Sequence, residues 1–430
     1  ADAVARSSSR ALRVQSFSSV PAVAVEIRAQ DVFRLMRQPG ILSITEDAPM
    51  VSAAYSNPQT WPLASGVASL WTRTADVGAS LPAIAVVDSG VDASRADFGG
   101  RVVAEATLTS LAGNSPGDGS GHGTFVAGLA AGSADRYAGA APSAPIVSID
   151  VTDDQGMAMT RDVIAAADWI LANKDAYRIR VANFSLHSSQ PSTFLFDPLA
   201  KSVERLWLSG VVVVAAVGNY ASSDRPHGVP FAPANDPFVI TVGAADTGRS
   251  VPTADDVAAP WSAYGPTLDG FAKPELGAPG RYLVAPVPSG SRLALDRPES
   301  VVADGYMRLS GTSFAAPIVA GAAAHLLALN PEWTPDQVKG ALMVSAAETA
   351  AAEGSLGVGE LDGRAAARVQ NPPNPNLALS RFVVDGTFDA ERWAAVAGQD
   401  PAWNAASWSS ASSSSASWSS ASWSSASWSS

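Results

Sequence analysis

From residue 83 onward, short runs of almost uninterrupted apolar residues alternate with stretches of helical spacing, and few folds can accept that pattern. The runs are Ile84–Val87, Ile146–Val151, Ile179–Phe184, Val211–Ala216 and Phe238–Val242. A strand that is apolar on both faces must be covered on both, and helices that join parallel strands do this. Between the runs, Val163, Ile164, Ala167, Ile170 and Leu171 recur at helical spacing. So do Leu199, Val203, Leu206 and Trp207, before a stop at Gly210. The alternation predicts an α/β fold, a doubly wound parallel sheet with helices on both faces.

The flanks read differently, and at 430 residues the chain exceeds one ordinary domain. Residues 1–55 suggest a small α+β unit. Val23, Val25 and Ile27 alternate as a half-buried strand, Val32, Leu35 and Met36 mark a short helix, and Pro39-Gly40 turns into a strand through Ile41, Leu42 and Ile44. Residues 52–82 show little periodicity and read as a connector wrapping the larger body, which runs from 56 to 370. A stiff Pro/Asn linker at 370–376 and a short amphipathic piece around Phe388–Val396 make a third segment, 371–400. Residues 401–430 repeat with period five, with Trp403, Trp408, Trp418, Trp423 and Trp428 in register and Ser413 in the lapsed slot. Serine-rich low complexity favours disorder, whereas regular tryptophans favour packing or self-association.

A net charge of −12 argues against nucleic acid or an anionic membrane as partner. The absence of cysteine excludes disulfides, thiolate catalysis and Cys-ligated metal. The longest continuous apolar runs, Val211–Val217 and Ala315–Ala324, read as too short to cross a membrane. The chain begins at Ala1 with no charged or apolar leader, so the expectation is that any targeting peptide has been removed.

Chemistry converges on one edge of the expected sheet. Asp88 follows the first apolar run, and Asn219 follows Val211–Ala216 within Val-Gly-Asn. His122, in Gly-His-Gly-Thr, and Ser313, in Gly-Thr-Ser-Phe-Ala-Ala-Pro, both open helices. In a parallel sheet, strand carboxyl ends and the following helix N-termini share one rim, where ligands bind. A serine there has an unbonded backbone N–H and a helix dipole beside it; the alternative use of such a serine is a plain helix cap. Taken together the residue types supply a nucleophile (Ser313), a general base and acid (His122), an orienting carboxylate (Asp88) and an oxyanion donor (Asn219).

In the motifs that carry these residues the chain resembles the subtilisin-like (subtilase) serine endopeptidases. The matching stretches are Ala85-Val-Val-Asp-Ser-Gly-Val-Asp92, Gly119-Ser-Gly-His-Gly-Thr-Phe-Val-Ala-Gly128 and Leu309-Ser-Gly-Thr-Ser-Phe-Ala-Ala-Pro317. Val181-Ala-Asn-Phe-Ser-Leu186, Val211–Asn219 and Lys273-Pro-Glu-Leu-Gly-Ala-Pro-Gly280 support them. The resemblance implies an Asp88–His122–Ser313 triad, Asn219 as oxyanion donor and hydrolysis through an acyl-enzyme without a cofactor. It also implies that substrate backbone pairs as an added strand between Ser185-Leu186-His187 and Gly156–Ala158, with Gly218 alongside.

Departures from the family pattern shape further expectations. His187 stands where glycine is usual, and Phe231 where a small residue is usual; both border the pocket for the residue before the scissile bond, so small side chains should be favoured. The loop between Gly128 and Gly139 is shorter than the family version that holds calcium, so that site should be missing. Asp153-Asp154 reads as a solvated acidic turn that could attract a cation. Residues Ala11 to Asp47 resemble the family's inhibitory propeptide, whose opening strand has no counterpart before Ala1, so the module is expected to be truncated or completed by another chain. That likeness implies the unit's own occupancy of the cleft, self-cleavage near Ala54, Tyr55 or Ser56, and a secreted, bacterial protein.

Two rivals remain at this stage. An α/β-hydrolase esterase would need Gly-x-Ser-x-Gly and the order Ser…Asp…His, and this chain offers Gly311-Thr-Ser-Phe-Ala315 and the reverse order. A structural protein, with a latent body assembled through residues 401–430, is the reading from another class.

Overall fold

The computed structural model describes residues 14–17, 22–25, 29–44, 59–221 and 226–397. Chain contacts divide it into two units, Ala1–Asn57 and Pro58–Ser430. In the first, strands Val14–Ser16 and Val23–Val25 pair antiparallel, with Gln15 opposite Ala24, and helix Ala29–Met36 follows. Leu35 is buried there, whereas Met36 and Phe33 are exposed. Strand Val14–Ser16 has no counterpart in the sequence reading. Conversely, Ile41, Leu42 and Ile44 form no strand; Leu42 is fully exposed, and no described segment pairs with it. The expected cleavage region at 54–56 and the tryptophan repeat at 401–430 lie outside the described residues.

The second unit is built on strands β1 (Ala83–Asp88), β2 (Val102–Thr107), β3 (Ile146–Asp150), β4 (Ile179–Phe184), β5 (Val212–Ala216), β6 (Ile240–Asp246) and β7 (Leu276–Pro279). They lie in the order β7-β6-β5-β4-β1-β3-β2, all parallel, and Val257–Ala258 adds a short antiparallel strand to β6. β1, β3 and β5 are buried along their whole length, as their unbroken apolar runs demand. The edge strands β2 and β7 escaped the sequence reading for physical reasons. β2 alternates half-buried and exposed residues, and β7 sits in a Gly/Pro-rich stretch tolerated only at an edge.

Helices cover both faces: α1 (Val67–Asp76), α2 (His122–Ala131) and α5 (Thr312–Leu329) on one, α3 (Thr160–Tyr177) and α4 (Pro198–Leu208) on the other, with α6 (Pro335–Val344) packed beside α5. α1 corrects the expected connector: Val67, Leu70 and Thr74 turn inward one helical turn apart, and Trp71 Nε1 donates to the Ala140 carbonyl at 2.8 Å. α5 is longer than its apolar run, because it continues through His325, whose Nδ1 meets the Thr74 hydroxyl at 3.1 Å. By length and composition it could cross a membrane, contrary to the sequence reading, but 83% of it is buried inside the body, as a core helix is. Beyond 370, Phe382, Phe388 and Trp393 also enter this core, against Phe194, Phe238 and Phe271.

Candidate active site

The parallel sheet delivers the expected groups to one edge. Asp88 ends β1; Gly218 and Asn219 follow β5 in a turn that Gly218 makes at φ 110°. α2 and α5 start on that rim, on the same face of the sheet. Their approach is close because Gly321 of α5 has no side chain: a Cβ there would overlap the Ala140 Cβ and lie 3.0 Å from the Ala130 carbonyl oxygen. Gly123 does the same at the start of α2, where a Cβ would run into the Gly90 carbonyl.

His122 Nδ1 lies 2.7 Å from Asp88 Oδ1, leaving Nε2 for the cleft. Asp88 is buried and also accepts the Ser89 N–H at 2.9 Å. Burial alone would lower the imidazole pKa, but the charge and hydrogen bond of Asp88, helped by the charge of Asp118, outweigh it and hold His122 above its usual value. The Ser313 hydroxyl donates to the Ser185 carbonyl at 3.2 Å rather than to the imidazole. Phe314, next in sequence after Ser313, packs its ring on His122 with 5.4 Å between centroids, which brings the start of α5 beside the imidazole.

The Asn219 amide is oriented by Thr312. The Thr312 N–H and hydroxyl both donate to Asn219 Oδ1, at 2.9 and 3.0 Å, so Nδ2 faces away from them. Ser185 Oγ donates to the Ser313 carbonyl at 2.7 Å and accepts from Asn183 Nδ2 at 2.9 Å, locking β4's end to α5. Among the described residues no acceptor faces the backbone N–H of Leu186 or His187. Gly156, at φ 78°, sits beside the loop that leads into His122, its Cβ position 3.8 Å from Ser120 Oγ, and Ala158 bridges to Thr152. His187 stacks on Phe231 at 5.2 Å, and Tyr220 meets both rings edge-on, at 5.7 and 5.1 Å.

The loop after α2 folds onto Asp97. Ser133 N–H and hydroxyl both donate to the Asp97 carbonyl at 2.8 Å. The Asp97 carboxylate takes Arg95 Nε at 2.9 Å on one oxygen and the Tyr306 hydroxyl on the other. The Arg95 guanidinium is thus the cation paired with the buried Asp97 carboxylate. The Asp153-Asp154 turn is held by local hydrogen bonds. Asp153 Oδ1 accepts the Gln155 and Met157 N–H groups, and Asp154 accepts the N–H and hydroxyl of Ser115. Among the described residues no cluster of three metal-ligating side chains forms.

Sequence reasoning missed Thr312, Ser89 and Asp118 as parts of this site. Their roles are hydrogen bonds across elements, which spacing does not reveal; a carboxylate just before a helix start was the one signal available for Asp118.

Comparison with known proteins agrees with this geometry. Residues 80–363 match the profile of the subtilase family of peptidases. Serine protease AprX of Bacillus subtilis (strain 168) is 34% identical over 271 residues, which is 60% of this chain and 59% of that relative's length. Subtilisin E of the same organism is 30% identical over 327 residues, 76% of this chain and 75% of the relative. Among solved structures, a cold adapted subtilisin-like serine proteinase matches with a TM-score of 0.50 and 29% identity. That match covers 65% of this chain and 86% of the other.

Proposed function

This chain belongs to the subtilase family, and on that footing we propose that it is a serine endopeptidase, cutting protein or peptide substrates through an ester on Ser313. The observation that carries the reading is the 2.7 Å Asp88–His122 contact beside a serine at the mouth of α5. His122 takes the Ser313 proton as the hydroxyl attacks the carbonyl, and Asp88 holds the ring and balances the imidazolium. Asn219 Nδ2 and the backbone N–H of Ser313, at the start of α5, donate to the developing oxyanion. The imidazolium then protonates the leaving amine, and water repeats the sequence to release the acid. No cofactor enters these steps.

Substrate lies as an added strand between Ser185–His187 and Gly156–Ala158, so that main-chain bonds supply affinity and pockets supply preference. The free N–H groups of Leu186 and His187 support this. The stacked rings of His187, Tyr220 and Phe231 support a pocket restricted to small residues. In the same reading residues 1–55 are a propeptide released near Tyr55, and the protein acts outside a bacterial cell; the Bacillus relatives support the bacterial setting.

A fluorophosphonate probe tests the core of this reading. Ser313 should label in the parent and not in Ser313→Ala; a parent that never labels, at any pH, would remove the peptidase assignment.

A further inference from the structure

Asp118 takes no part in the mechanism above, yet it is the best-served carboxylate near His122. Its Oδ1 accepts the Gly121 N–H at 2.7 Å and the Ser89 hydroxyl at 2.8 Å, and its Oδ2 accepts the Thr124 N–H at 2.7 Å. The Gly121 and Thr124 donors fix the first turn of α2, and so the base of the His122 side chain. The Ser89 hydroxyl reaches further: its oxygen accepts the Gly123 N–H at 2.9 Å and lies 3.3 Å from Asp88 Oδ1.

One hydroxyl carries one proton, and two carboxylates compete for it. The shorter contact goes to Asp118. Asp88 Oδ1 is left with the Ser89 N–H and the imidazole. Asp88 Oδ2 is buried with no hydrogen-bond donor among the described residues. A carboxylate so poorly served draws strongly on any cation beside it, and the cation available is the His122 imidazolium.

We propose that Asp118 is a positioning residue of the reaction: its ionised carboxylate claims the Ser89 proton, leaves Asp88 to the imidazole, and adds a second negative charge behind the imidazolium. The inference rests on His122 being the general base. Burial lifts the Asp118 carboxyl to about 6, against its Thr124, Gly121 and Ser89 donors, so the device is engaged at neutral pH and released in mild acid. The other charges of this cluster are Asp88 from β1, His122 from α2, Asp150 at the end of β3, which lies close enough to Asp88 and Asp154 to feel both, and Asp154, whose carboxylate packs on Gly119. The segment through Arg292 and Leu293 meets the Gly119–Ser120 turn with backbone N–H groups only, and the Arg292 side chain is paired with Asp296.

The test is the titration of the His122 ring by NMR in the full chain, which holds four histidines and allows assignment with His122→Gln. In Asp118→Asn the His122 midpoint should fall, because a negative charge that favours imidazolium is gone. Fluorophosphonate labelling of Ser313 should slow about tenfold at neutral pH, equivalent to about 1.4 kcal/mol, with its acid limb moved to lower pH. Should the asparagine variant not fold, Asp118→Ser, also a good helix cap, carries the same test. A His122 midpoint and acid limb unmoved in folded variants would reduce Asp118 to a cap and overturn the inference. A parent that fails to label removes the peptidase reading and this inference with it; a parent that labels, with variants unmoved, removes this inference alone.

Discussion

Thr312 grips Asn219 twice, its N–H and its hydroxyl both donating to the amide oxygen, at 2.9 and 3.0 Å. In the proposed mechanism the residue before Ser313 therefore sets which end of the amide meets the oxyanion. Asn219→Ala should cost about 10²–10³ in kcat with little change in KM, a range established on a protease of this same family. Thr312→Val keeps the N–H and loses the hydroxyl, which also accepts the Gly218 N–H at 3.2 Å. Its loss should be smaller and again confined to kcat. Steady-state kinetics on a peptide amide check both, and an unchanged kcat in Asn219→Ala would take the oxyanion role from this residue.

Gly321 concerns distance rather than chemistry. Any Cβ there overlaps Ala140 and crowds the Ala130 carbonyl, so Gly321→Ala wedges α5 away from α2. Overpacking of this kind typically costs about 1–3 kcal/mol. Because α2 carries His122 and α5 carries Ser313, kcat should fall more than the stability change explains, since a misplacement of about 1 Å can cost about 10²-fold. Thermal unfolding and kinetics of Gly321→Ala, alone and with Ala140→Gly, separate the effects. The second change should recover most of both.

How much of this was legible in the sequence follows from where each feature is encoded. Strands buried on both faces announce themselves as apolar runs, and Ile179–Phe184 was read to its ends. The edge strands and α1 were not, because half-buried alternation, prolines and a Trp-Ser-Thr mixture blur the period. Asp88, His122, Asn219 and Ser313 stood out because each sits at the junction of a strand or helix with a short polar motif. Thr312, Ser89, Asp118 and the Arg95–Asp97–Tyr306 group did not, since their meaning lies in partners distant along the chain.

Two buried groups set opposite pH limits on stability. His325 is buried, with its Nε2 at 3.2 Å from the Ala140 carbonyl, and burial pulls its pKa down to about 4 despite that bond. The unfolded chain binds this proton below about 6.5, so stability falls as pH drops from there toward 4, by up to about 1.4 kcal/mol per pH unit. Glu360 and Asp256 share a buried site in which, among the described residues, no N–H or hydroxyl meets a carboxylate oxygen. Burial, and then each other's presence, raises the Glu360 pKa well above its usual value. A raised carboxyl contributes stability that is present below the unfolded pKa and fades as pH rises through the folded one. Glu360→Gln, which keeps a donor for Asp256 without titrating, should flatten the neutral-to-alkaline decline in denaturation midpoint. A decline of unchanged slope would show that the pair is not its source.

At Asp97 a fixed charge of the chain neutralises a buried carboxylate. Arg95 and Tyr306 serve the buried carboxylate, and the Arg95 guanidinium also lies 5.3 Å from the Tyr306 ring centre. Chelator should therefore leave this region's stability untouched. Arg95→Ala strands a buried charge, at a cost of about 3 kcal/mol. Unfolding midpoints with and without EDTA, for parent and variant, are the measurement; a large chelator effect on the parent would contradict the assignment of the cationic role to Arg95.

The pocket proposed for the residue before the scissile bond offers the sharpest test of specificity. Tyr220 wedges against both Phe231 and His187, and its ring also fills the space beside Gly218 where a Cβ would sit. Three rings in mutual contact leave little room between Asn219 and the loop after β4. A peptide library should therefore show the parent favouring Ala or Ser at that position and rejecting Phe and Tyr. His187→Gly removes the exposed ring of the three and opens the cluster toward solvent. One added methylene in an apolar pocket is worth about 1–3 kcal/mol, so the relative kcat/KM for Leu or Phe over Ala should rise at least tenfold in this variant. Because Asn219 is held by Thr312 and not by the rings, kcat on the alanine substrate should stay near the parent's. A parent that already prefers Phe would place the rings outside the pocket, and the loss of activity on every substrate alike would make His187 a structural support for the loop instead of a wall.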